Sequence, residues 1–121
     1  MEATELRIGN YVMNEHSKIL TVLGIKETSL YLYEKYKSQS GSYFIEKIWP
    51  IPLTEEWLLK FGFEKIAGYL WKCKQLGEQR FIENHLTKGY FETHYESKHI
   101  QYVHQLQNLY FALTNEELEI I

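Results

Sequence analysis

Five histidines (His16, His85, His94, His99, His104), one cysteine (Cys73) and several close carboxylate pairs are the residues of this chain with reactive side chains. On a strand Glu92, His94 and Glu96 share a face, an arrangement that could hold a metal ion or move a proton. The spacing goes no further. There is no HxxxH or HExxH, and Cys73 has no second soft ligand near it in sequence. We therefore expect no metal and no cofactor, and read this stretch as a solvated polar strand face. Cys73 lies in Leu70–Gln75, LWKCKQ, where strand alternation turns Lys72 and Lys74 away from the thiol. A buried structural thiol is the expectation. Ser17, Ser29, Ser38, Ser40, Ser42 and Ser97 fall in turns or loops, none in a GxSxG elbow. Glu55-Glu56 and Glu116-Glu117 sit where helices should start, and the positive end of a helix dipole accounts for them. No GxGxxG or GxxxxGK[ST] loop occurs. No catalytic residue emerges, and the expectation is a protein that is not an enzyme. A deep pocket lined by His and Glu would reopen the question.

One polar set has a definite geometry. In Ile100–Leu118, IQYVHQLQNLYFALTNEEL, a period of 3.6 predicts a helix over Gln101–Leu113. Tyr102, Val103, Leu106, Leu109, Tyr110 and Leu113 form its apolar face. His104, Gln107, Asn108 and Phe111, at i, i+3, i+4 and i+7, form a second stripe of imidazole, amides and an aromatic ring. Three roles are open to this stripe: sealing an internal interface, contacting a second copy of the chain, or meeting an external partner. It is the candidate binding site. Thr114 with Glu117 has the spacing of a capping box for one more short turn.

The elements that would position these residues read in two halves, 1–52 and 53–121. In the first, Leu6–Met13 is a strand with a bulge or kink at Gly9-Asn10, and Asn14–Ser17 is turn-like. Lys18–Lys26 and Leu30–Lys37 are strands, Ser38–Ser42 (SQSGS) is a loop, and Tyr43–Trp49 is a fourth strand ended by Pro50-Ile51-Pro52. Short strands at tight spacing predict a β meander or small barrel. In the second half Thr54 caps a helix over Glu55–Phe61, flanked by Leu53 and Leu58 as a hydrophobic staple and stopped by Gly62. Glu64–Gln75, Glu78–His85 and Gly89–Glu96 then read as three strands before the long helix. The predicted fold class is α+β: an N-terminal β meander or SH3-like barrel, then an α-β-β-β-α unit with the C-terminal helix on a three-stranded antiparallel sheet.

Composition limits the partners. The 121 residues suit one domain or two packed subdomains. Thirteen Lys and Arg against sixteen Asp and Glu leave no surplus of positive charge for a nucleic-acid backbone, and only Arg7 and Arg80 supply guanidinium groups. Ten Tyr and six Phe favour sheet surfaces and binding faces. Tyr31 and Tyr33 share a strand face opposite Leu30, Leu32 and Tyr36. With Lys35 and Lys37 they form the alternative, a nucleic-acid-binding barrel. One cysteine, no basic-apolar leader and no long apolar run lead us to expect a cytoplasmic protein.

Three segments carry a resemblance. Arg7–Val12 (RIGNYV) followed by Thr21–Ile25 resembles the opening of an SH3-like barrel. That same RIGNYV, with Pro50–Lys65 (PIPLTEEWLLKFGFEK) and Tyr102–Ile120 (YVHQLQNLYFALTNEELEI), resembles a family of small proteins of unassigned function from Bacteroidetes genomes and their phages or mobile elements. That family has Gly where this chain has Asn115. The resemblance implies an accessory protein of a mobile element and brings no functional residues with it. The resulting expectation is a non-catalytic module that binds a protein partner or a second copy of itself.

Overall fold

In the computed structural model, which describes residues 3–26, 29–34, 39–67, 70–73, 80–83, 91–93 and 99–120, the chain divides into two compact units, Met1–Ile51 and Pro52–Ile121. The fold is mixed α+β. Unit one is a five-stranded antiparallel sheet curled into a half-barrel: β1 (Tyr11–Asn14), β2 (Ile19–Ile25), β3 (Ser29–Glu34), β4 (Gln39–Phe44) and β5 (Ile48–Trp49), in the order β4-β3-β2-β1-β5. Alternation sets its two faces. Val12, Leu20, Val22, Leu30, Leu32 and Ile48 point inward and form the core with Leu6, flanked by Tyr43 and Ile45. Each such side chain removed from water contributes about 1.5–3 kcal/mol before ordering entropy is subtracted.

Local chemistry explains where this unit departs from simple strand reading. The expected strand Leu6–Met13 is extended only from Tyr11. Upstream, Asn10 Oδ1 accepts the Arg7 amide at 2.7 Å, the Asn10 amide donates back to the Arg7 carbonyl at 3.1 Å, and Gly9 has φ 99°. The ladder to β2 continues around this turn through Gly9 N–H to Val22 O, and Val22 N–H to Asn10 O. The β1–β2 turn is closed by Asn14, whose Oδ1 accepts from the amides of His16 and Lys18.

Gln39–Ser42, read as loop, is strand: Gly41 lies opposite Leu32 and Ser40 opposite Tyr33. Small residues suit an edge strand laid beside bulky neighbours, and the Tyr31 hydroxyl meets Ser40 Oγ at 2.9 Å. Tyr43–Trp49, expected as one strand, is broken by a 3-10 turn at Ile45–Lys47. The break is required because β5 pairs with β1, at the opposite edge of the sheet from β4 (Met13 with Trp49, Asn14 with Ile48).

Unit two contains α1 (Glu55–Lys60), β6 (Glu64–Ala67), β7 (Leu70–Lys72), β8 (Arg80–Glu83), β9 (Phe91–Thr93), β10 (His99–Ile100) and α2 (Val103–Thr114). Thr54 Oγ1 accepts from Trp57 N–H, and Gly62 takes φ 84° to end α1. Trp57, Leu58 and Phe61 are buried on one arc while Leu59 is exposed. Among the described residues five strands stand between the helices, not three, in an antiparallel order β10-β9-β8-β7-β6. Within the expected strand Glu64–Gln75, Glu64–Ala67 and Leu70–Lys72 are two strands paired antiparallel, Ala67 opposite Leu70 and Glu64 opposite Lys72. The segment before α1 joins the segment before α2 through a Pro52–Tyr102 bridge and a bond from Leu53 N–H to Gln101 O at 2.8 Å.

Candidate functional site

The start of helix α2 is held by Gln105, whose Oε1 accepts the Gln101 and Tyr102 amides at 2.8 and 3.1 Å. Its end corrects the expected extra turn. Thr114 Oγ1 donates to Tyr110 O and accepts from Glu116 N–H, and Asn115 follows in the left-handed conformation with φ 60°. Thr114 therefore finishes α2 and begins no new helix. Glycine is the usual residue at such a stop, and Asn is the next best able to adopt it.

The buried side of α2 is turned from the purely apolar face expected. Val103, Leu106 and Tyr110 are buried, but so are His104 and Gln107, each 1% exposed, whereas Leu113 is 47% exposed. At 100° per residue the buried arc runs from Leu106 through Val103 to His104, and Leu113 lies at its edge. Of the candidate stripe, then, His104 and Gln107 are enclosed, and Asn108 and Phe111 are half-buried. The His104 ring stacks on Tyr102, centroids 5.9 Å apart and nearly parallel. Burial pushes the Tyr110 hydroxyl above its usual 10.0, with the negative charges of Cys73 and Glu116 acting in the same direction and a bond from Thr114 opposing them.

An open concavity lies in unit one. A cavity of about 360 Å³ is bounded by Asn14, Glu15 and His16 on the β1–β2 turn, by Glu34 at the end of β3, and by Tyr43, Phe44 and Lys47 where β4 enters the 3-10 turn. Phe44 is 62% exposed, and Tyr31, Trp49, Leu23 and Ile25 are the other large exposed apolar side chains of this sheet. The cavity contains a His and two Glu, but their geometry is loose. His16 Nε2 stands 3.7 Å from Glu15 Oε1, beyond hydrogen-bond reach, with both side chains largely in water. Sequence reading missed this site because its members come from three separate strands and a turn taken as strand. Only the aromatics Tyr31, which is exposed, and Tyr33, which is half-buried, drew attention to this sheet.

The remaining candidates are quickly placed. Cys73 is buried, and with Trp71 it occupies the enclosed side of its segment. His94, Glu96, Lys35, Lys37 and Tyr36 lie outside the described residues. Among the described residues, no three His, Cys, Asp or Glu side chains gather where a metal ion could be held. No helix among them is long and apolar enough to cross a membrane. Comparison with protein-family models, curated proteins and solved structures returns no match.

Proposed function

We propose that this protein is a non-catalytic protein-binding module whose N-terminal unit is an SH3-like small barrel. The barrel reading is supported by the return of β5 to β1 through a 3-10 turn after a four-strand meander. One observation carries the binding reading: a small sheet with a buried core of its own still leaves Tyr31, Trp49, Leu23 and Phe44 in water, Phe44 on the wall of an open cavity. Exposed aromatics of this kind are anchors in protein interfaces, where they bury much area at low entropic cost. The loose His16–Glu15 geometry favours binding over proton transfer. On the resemblance of Tyr102–Ile120 and Pro50–Lys65, the setting is an accessory role in a mobile element.

The test is affinity capture with the full chain, comparing wild type, Phe44→Ser and Leu59→Ser. Leu59 is as exposed as Phe44 but lies on α1. A specific partner retained by Leu59→Ser and lost by Phe44→Ser is the expected result. Equal capture by all three, or no partner at all, removes the proposal.

A further inference from the structure

Strand β4 is an outer strand of its sheet, and its open side has none of the features that keep such a side unpaired. An outer strand offers a row of backbone N–H and C=O groups to a strand of another chain, and proteins block that row with charge, proline, bulges or brevity. The other outer strands here follow that rule. β5 and β10 have two residues each, and Pro50 follows β5. β6 carries Glu64 and Lys65 and is irregular between Lys65 and Ala67. β4 has six residues, no charge and no proline, and pairs with β3 in one unbroken register from Gln39 to Phe44. The nearest charges along the chain, Lys37 and Glu46, lie outside it.

The ladder fixes which backbone groups of β4 point outward. In an antiparallel strand the groups of successive residues alternate in direction. Ser29 O accepts from Lys26 N–H, and Val22, which stands opposite Leu32, bonds Gly9 and Asn10 on the β1 side. Ser29, Tyr31 and Tyr33 therefore face β2, whereas Leu30, Leu32 and Glu34 face β4. Their partners on β4 are Tyr43, Gly41 and Gln39, so Ser40, Ser42 and Phe44 turn their amides away from the sheet. All of these last residues are exposed.

We infer that β4 pairs antiparallel with β4 of a second copy of this chain about a two-fold axis at Ser42, joining the two sheets into one. Centred there, Ser42 faces its own copy and Ser40 faces Phe44, so residues with outward groups meet one another. Side-chain size fits the same register on both faces. On the outer face the Phe44 ring lies beside the small Ser40 of the second copy. On the inner face Tyr43 of the second copy lies beside Gly41, where an added Cβ would meet nothing nearer than the chain's own Tyr43 ring at 4.0 Å. A second copy fits better than an unrelated strand because this uncharged segment complements itself, large beside small away from the axis and no like charges brought opposite. The inference goes beyond the binding-module reading and does not rest on it, since self-association is read on the purified chain alone.

Sedimentation equilibrium of the full chain tests it. A concentration-dependent rise from 14.5 kDa toward twice that mass is expected. Ser42→Pro removes an amide that points away from β3, a place where an outer strand tolerates proline. It should weaken the dimer about tenfold or more, since the axial pair loses both of its N–H donors. Should proline disturb the strand, Ser42→Lys sets two like charges face to face and is expected to weaken the dimer as well. Leu23→Lys, at an exposed site on β2, should dimerise as wild type does. Ser42→Cys should form a disulfide-linked dimer under an added oxidant and Ser40→Cys should not. Only Ser42 lies opposite itself, within the roughly 4.4–6.8 Å between Cα atoms that a disulfide spans. Wild type, with Cys73 buried, is the control that stays uncross-linked. A monomer at millimolar concentration, a dimer unmoved by both Ser42→Pro and Ser42→Lys, a dimer broken by Leu23→Lys, no cross-link in Ser42→Cys or an equal one in Ser40→Cys would each overturn the assignment. So would a monomeric chain whose Ser40 and Ser42 amides gain protection from hydrogen exchange only with a captured protein, because the open side would then serve a partner's strand.

Discussion

Asn10 shows how one side chain can hold a turn that its neighbours do not specify. It is wholly buried, and its carbonyl oxygen satisfies the Arg7 amide at 2.7 Å. Replacing it by alanine strands that donor, so Asn10→Ala should lose about 1–3 kcal/mol of stability. Urea unfolding should show a lower midpoint with an unchanged slope. Ser17 makes the opposite case. It sits at φ 58°, where a side chain is strained and glycine is not. Ser17→Gly should stabilise the protein by about 0.5–1 kcal/mol, the relieved strain exceeding the added chain entropy. A rise of about 2–4 °C in Tm is the corresponding readout, and a fall would mean that the turn is not formed in solution.

At the level of helices and strands, α2 offers a pH test. Its Tyr110 hydroxyl is held above 10.0 chiefly by burial. The folded state therefore keeps the proton longer than the unfolded chain does. Tyr110 contributes its full stability below pH 10, and the contribution is lost as pH rises from 10 through the raised folded value. Denaturation series from pH 8 to 11 should show a steeper alkaline decline for wild type than for Tyr110→Phe. Parallel curves would mean that the hydroxyl is not enclosed. The same helix shows what periodicity can and cannot reveal. Its existence, its burial of Val103 and Leu106, and the share of α1 taken by Trp57, Leu58 and Phe61 were all readable at 3.6 residues per turn. Its rotation was not, because hydropathy places histidine and glutamine outside, whereas His104 and Gln107 are enclosed here. Strand ends failed for a related reason: Gln39–Ser42 has loop composition and becomes strand only through its ladder to β3.

For the molecule as a whole, charge makes a prediction. With sixteen acidic against thirteen basic residues and two arginines in all, the chain has little with which to displace counterions from a phosphate backbone. Gel shifts at low salt should detect no salt-sensitive binding to single- or double-stranded nucleic acid, and a clear shift would favour the barrel as a base-stacking platform instead. Pattern and composition, read along the chain, were enough to establish a mixed α+β protein with short N-terminal strands, a capped first helix, a long C-terminal helix and a buried thiol, because periodicity, capping and turn chemistry act between residues close in sequence. The five-stranded order in each sheet, the 3-10 corner that carries β5 back to β1, and the cavity holding Glu34 arose from pairing between distant segments. A carboxylate near the end of a tyrosine-rich strand looks solvated in one dimension. Its side chain becomes largely covered only when the sheet curls and brings Asn14, Tyr43 and Phe44 around it.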